Sequence, residues 1–163
     1  MKKTMINTPS PLYQHIQNLG IVLPKPSAPA ASYVMSTHVG NLVYLSGHIA
    51  KKDGVPWVGK LGKDLTTEEG KVAARLIAID LLASLEKHLG DLDSIQRIIK
   101  VSSFVNCTPE YTEHHLVTNG CSELLVEVFG DAGKHARSAV GVNQLPMGVC
   151  VEIELVAEIS TDR

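Results

Sequence analysis

At 163 residues, with 44% hydrophobic and 20% charged side chains, the chain has material for one well-packed domain and too little for two ordinary ones. No apolar run approaches the roughly 18 residues needed to span a bilayer. A formal net charge of −2 and 4% aromatic content supply neither the attraction to phosphates nor the stacking rings of a nucleic-acid binder.

The N-terminus carries two lysines but lacks the apolar core of a secretory signal, so a cytoplasmic address is expected. The 3 cysteines, Cys107, Cys121 and Cys150, are widely spaced with no CxxC pair and read as reduced thiols. The 7 histidines show no ligand-type pair, so no metal is expected.

Ser10-Pro11 opens a short amphipathic helix with Leu12, Ile16 and Leu19 on one face and Gly20 as its stop. The prolines of Leu23 to Pro29 then favour an extended surface tether. Tyr33 to His38 and Leu42 to His48 read as a strand pair turning at Gly40-Asn41, and Val55 to Val58 as a short edge strand after the turn at Asp53-Gly54. Thr66 and Glu69 have capping-box spacing, which starts a helix that Gly90 ends. Its small early residues imply close approach to a sheet.

Ile95 to Asn106 reads as a long strand, with Ile99, Val101, Ser103 and Val105 on one side and Ile98, Lys100, Ser102 and Phe104 on the other. A second long helix is expected from Tyr111 or Glu113 to Val128, burying Val117, Cys121, Leu124, Leu125 and Val128. Next comes a strand at Arg137 to Val142, a break at Leu145 to Gly148, and a final strand from Val149. In that last strand Val151, Ile153, Leu155 and Ala157 share a core face, while Cys150, Glu152, Glu154 and Val156 share the other.

This order predicts an α+β domain with two helices packed on one sheet face. The uncovered face still carries apolar groups, which predicts an oligomer assembled through it. Residues 1–30 form the helical and Pro-rich extension and 31–163 the single domain.

Chemistry concentrates near the C-terminus. If the last two strands pair or neighbour one another, Arg137 approaches Glu152. A planar guanidinium can hold a carboxylate through two parallel hydrogen bonds, and a neighbouring carboxylate can direct water and shuttle a proton. The same two residues could equally form a structural ion pair.

Arg137-Ser138-Ala139-Val140, Leu145-Pro146 and Val151-Glu152-Ile153-Glu154 together resemble the C-terminal signature of the RidA (YjgF) family, and Tyr44 to Ile49 is similar to its strand ending in Ser-Gly-Gln-Ile. The resemblance, running from about Tyr33 to Ile159, implies a chorismate-mutase-like fold and a homotrimer with sites in the clefts between subunits. It implies hydrolysis of reactive enamines and imines (2-imino acids) to 2-keto acids and ammonia, with no cofactor. On that resemblance Arg137 holds the substrate carboxylate and Glu152 directs the water. Ser46 and the Gly47 backbone help to hold a carboxylate or carbonyl, Tyr33 closes the pocket, and Asn119 is the pocket asparagine. Glu154 reads as a structural ion-pairing residue.

Departures mark a divergent branch: Ala139 stands where archetypes often have cysteine, His135-Ala136 replaces Pro-Ala, and the Trp57 to Leu65 segment is longer. Two other functions use the same framework: a non-catalytic trimeric binder of small carboxylic metabolites, and a ribonuclease or translation inhibitor, against which the acidic balance stands.

Overall fold

Ser10 accepts a hydrogen bond from the Tyr13 backbone N–H, and Pro11 occupies the first turn of α1 (Pro11–Asn18). The computed structural model describes residues 9–160, so the first eight residues of the extension lie outside the described residues. Ile16 of α1 and Ile21 just after it are buried in the same apolar cluster as the sheet and the long helices.

The first hairpin joins β1 (Ser36–Val39) and β2 (Leu42–Ile49) through Gly40, whose φ of +57° suits glycine. The strand expected to begin at Tyr33 starts only at Ser36. Tyr33 is still turning, its N–H bonded to the Ala31 carbonyl at 2.9 Å and its hydroxyl accepting from the Ala30 N–H at 3.3 Å. The expected strand at Val55 to Val58 is also shorter. It contributes β4 (Val55–Pro56), which pairs with β3 (Lys51–Lys52) in a ribbon separate from the main sheet.

Thr66 and Glu69 form the reciprocal capping box of α2 (Thr67–Leu89), and Gly90 closes it in the left-handed region. After β5 (Ile95–Asn106), α3 (His114–Phe129) buries the expected stripe of Val117, Cys121, Leu124, Leu125 and Val128. The small residue Gly70 serves contact with a loop and a helix instead of the sheet, since a Cβ there would meet Leu61 of the loop before α2 and Val117 of α3. The tightest approach is at Gly120, where a Cβ would stand 1.9 Å from the Lys71 carbonyl oxygen of α2.

With β6 (Ala136–Val142) and β7 (Val151–Ile159), the main sheet has the order β1-β2-β7-β5-β6. Only β5 and β6 are parallel, the pair that α3 connects, so the sheet is mixed and the domain is α+β. Val43, Leu45, Val101, Val105, Ile153, Leu155 and Ala157 are buried on the face that α2 and α3 cover. The opposite face presents Phe104 and Val156, half-buried, and Tyr44 and Val140, exposed.

Two expectations of side-chain phase fail for local reasons. Along β5, Ile98 pairs with Ala157 and Lys100 with Val156, so a bulge at Ile99 moves Ile98 onto the core face. Cys150 does not share the open face with Glu152. It precedes β7, donates its N–H to Trp57, accepts from the Asn106 N–H, and is buried in the core.

Candidate active site

Along β2, Leu45 pairs with Leu155 and His48 with Ile153, so three steps on β2 face two on β7 and the chain bulges at Ser46-Gly47. His48 holds that bulge from inside. Its ring is 3% exposed and lies 2.7 Å from both the Ser46 carbonyl and Ser84 Oγ of α2. A carbonyl can only accept, so Nδ1 carries the hydrogen and Nε2 accepts from the Ser84 hydroxyl. Burial lowers the proton affinity of this imidazole and favours its neutral form. On the other side Ser46 donates its N–H to Met35 and its hydroxyl to the Val34 carbonyl.

The bulge makes room for Glu152, which pairs with Ile49 across the ladder. A Cβ on Gly47 would lie 2.0 Å from Glu152 Oε1, so glycine is the residue that lets this carboxylate lie against the strand. Tyr33, Ser46, Gly47 and Glu152 line one cleft of about 680 Å³. Burial, and then the neighbouring charge of Glu154, push the Glu152 carboxyl above the usual carboxylate range.

Arg137 lies elsewhere. It pairs with Val101 in the parallel ladder and therefore faces the helices, where Nη1 donates to Asn119 Oδ1 at 2.8 Å and Ser122 Oγ at 3.2 Å. Nη2 donates to the His115 carbonyl at 3.0 Å. His135 extends the chain of bonds: Nδ1–H donates to the Gly133 carbonyl, so Nε2 accepts from the Ser122 hydroxyl. Burial lowers the His135 proton affinity, and the Arg137 charge lowers it further. Of the five guanidinium N–H groups, Nε–H and one on Nη2 have no partner among the described residues.

Arg137 and Asn119 thus come together, and so do Tyr33, Ser46, Gly47 and Glu152, but the two groups do not meet within one chain. The expected approach of Arg137 to Glu152 is corrected by β5, which separates their strands. Glu152 pairs with Phe104 on the open face and Arg137 with Val101 on the helix face, so their side chains leave opposite sides of the sheet.

Sequence reasoning missed His48, Ser84, Ser122 and the His115 carbonyl as supports. His48 stands where the resembled motif has glutamine, and that departure was the available signal. Met147 was also missed. It lines the cleft with a φ of +58°, a conformation that turn chemistry around Pro146 and Gly148 could suggest but not assign. Among the described residues no group of three or more His, Cys, Asp or Glu side chains converges as a metal site, and no helix is long and apolar enough to cross a membrane.

Comparison with known proteins agrees with this architecture. The family model described as "YjgF/chorismate_mutase-like, putative endoribonuclease" matches residues 14–159. Protein TCP17 of Trypanosoma cruzi is 43% identical over 148 residues, covering 90% of this chain and 92% of that protein. The crystal structure of Atu1372, a protein described as of unknown function from Agrobacterium tumefaciens, superposes with a TM-score of 0.84 at 40% identity, covering 91% of this chain and 92% of the other. A crystal structure from Shewanella oneidensis, described as a "putative endoribonuclease", superposes with a TM-score of 0.87 at 30% identity over 91% and 99% of the two chains. The bulged Ser46-Gly47 strand, the mixed five-stranded sheet and these matches together place the chain in the YjgF, chorismate-mutase-like family.

Proposed function

We propose that the protein hydrolyses 2-imino acids to 2-keto acids and ammonia, in sites assembled where the Glu152 cleft of one subunit meets the Arg137 corner of another in a homotrimer. The observation that carries this reading is the complementarity of the two half-sites. One holds a carboxylate with no hydrogen-bond partner among the described residues and a raised proton affinity. The other holds a guanidinium whose Nε–H and one Nη2–H have no partner among the described residues and can donate to a carboxylate. Each lacks what the other has, and the apolar open face beside them supplies a surface for assembly.

In this mechanism the Arg137 fork grips the substrate carboxylate and sets the distance to Glu152. Asn119, Ser122 and the His115 carbonyl hold the guanidinium plane. Ser46 and Gly47 shape the cleft around the reacting carbon, and Tyr33 closes its side. Glu152 takes a proton from water as the water oxygen bonds to the imine carbon, and that proton passes to nitrogen to give a carbinolamine. Glu152 then carries the hydroxyl proton of the carbinolamine to the same nitrogen as the C=O bond forms, the C–N bond breaks and ammonia leaves. A carboxyl whose proton affinity is raised by burial is a better proton acceptor than an ordinary carboxylate. Imines hydrolyse unaided in water, so orientation and modest acid–base help suffice.

Glu152→Gln is expected to keep carboxylate binding and to lower ammonia release from freshly generated imino acid by about 10²-fold, the usual worth of a positioned acid–base group. Sharing of sites is tested by mixing. Arg137→Ala and Glu152→Gln proteins, each impaired alone, should regain activity after co-refolding, because some mixed clefts receive both intact residues. Absence of recovery in mixed oligomers refutes the shared site. Undiminished turnover by Glu152→Gln leaves the carboxylate a structural role. Saturable carboxylate binding without turnover by the wild-type protein would favour the non-catalytic binder.

A further inference from the structure

We infer that the Glu152 cleft selects imino acids with large apolar side chains, and that the Pro-rich tether forms the wall that recognises them. This deepens the deaminase reading and rests on it for the reaction.

The cleft is far larger than a reacting C=N group requires. Its volume of about 680 Å³ lies in the range of sites that enclose whole small molecules. Its polar side chains are also largely spoken for. Ser27 Oγ accepts from Lys51 Nζ, which also pairs with Asp80 at 3.3 Å. Ser46 donates to Val34, His48 has both ring nitrogens engaged, and the Tyr33 hydroxyl accepts from Ala30. Glu152 alone, among the lining side chains, has a charged group without a hydrogen-bond partner among the described residues. What remains is hydrocarbon: Ala28, Ala31, Met35, Ile49, Pro56 and Met147.

Two further features show how this wall is built. Lys51 ties the tether at Ser27 to α2 at Asp80, bringing the alanines that follow to the cleft. Met147 keeps an exposed thioether side chain at the cleft with its backbone in the left-handed region, a conformation costly for a residue other than glycine. A flexible, polarisable side chain held there suits contact with apolar groups of varied shape. The ligand that fits is amphipathic: its reacting imine and carboxylate near Glu152, and a branched, thioether or aromatic side chain lying against the tether and Met147.

The test compares imino acids generated in situ from alanine, leucine and phenylalanine by an amino-acid oxidase, with ammonia release read as kcat/KM. The leucine- and phenylalanine-derived substrates should exceed the alanine-derived one by about tenfold or more, since each methylene fully buried is worth roughly fourfold. Ala28→Trp and Ala31→Trp, at exposed positions that do not support the fold, should lower the leucine-to-alanine ratio at least about fivefold. Lys25→Ala, on the tether but outside the cleft, should leave that ratio unchanged. Turnover with no preference for apolar substrates, or a ratio insensitive to both tryptophans, overturns the inference and leaves the deaminase reading standing. Calorimetry with 4-methyl-2-oxopentanoate and pyruvate separates the opposite case. Tighter binding of the former without turnover of any imine keeps the apolar wall and removes the deaminase reading, whereas equal binding removes the wall.

Discussion

The Glu152 cleft and the Arg137 corner are built by different means, and the contrast explains why neither resembles a finished site. The cleft is a backbone device: a bulge in an interior strand, pinned by a buried histidine, leaves a glycine against which a carboxylate can lie. The corner is a side-chain device at the sheet edge, where one arginine spends three N–H groups on α3. A bulge in an interior strand resists small side-chain changes but not a lost glycine or a lost pin. An edge arginine depends on the helix that holds it, so the corner inherits every displacement of α3.

The largest effect should come from moving that helix. Gly120→Ala places a Cβ 1.9 Å from the Lys71 carbonyl oxygen. Backbone cannot yield as a flexible side chain does, so a loss of about 3 kcal/mol is expected in denaturant unfolding. Carboxylate binding should weaken with it, because Asn119 and Ser122 travel with α3. Normal stability would show that the two helices part without cost, and the corner's dependence on α3 would fail.

Next is Arg137→Lys, which retains the charge and loses the planar fork. Carboxylate binding should weaken by about 1 to 3 kcal/mol. The melting temperature should fall as well, because Asn119, Ser122 and the His115 carbonyl lose a shared donor. Lower stability with unimpaired binding would make the residue a clamp and nothing more.

His48→Leu probes the cleft's pin. It strips a donor from the Ser46 carbonyl and an acceptor from the buried Ser84 hydroxyl, at a cost of about 1 to 3 kcal/mol. His48→Gln, which offers both a donor and an acceptor, should recover part of the stability and more of the turnover. Equal behaviour of the two variants would show that the bulge holds without its pin.

The smallest effect is a pH dependence. Glu152 is raised in the folded protein, so ionising it opposes folding: the penalty is absent below the ordinary carboxylate value and grows as pH rises through the folded one. Glu152→Gln should therefore be slightly more stable than wild type at neutral pH, with the two melting curves converging in acid. A variant less stable at neutral pH would mean that the carboxylate has a stabilising partner in solution.

Sequence alone determined the elements whose signals are local. The capping box at Thr66 and Glu69, the left-handed stop at Gly90, the Gly40 turn and the stripe of α3 each depend on residues within a few positions of one another, and each folds as its spacing requires. That Ser46, Gly47 and Glu152 serve one site was an expectation from family resemblance, though how they meet was not legible, because a bulge shows only when two strands are laid side by side. Tertiary structure decided the rest. Whether Ile98 or Ile99 meets the core depends on a one-residue slip against β7, and whether Cys150 belongs to the strand depends on its bonds to Trp57 and Asn106. The separation of Arg137 from Glu152 depends on β5 entering between strands that follow one another in the chain. Periodicity states which residues share a face of one strand. It carries no information on which strand lies next to it, because strand order is set by burial of whole faces against α2 and α3, a property of all the elements at once.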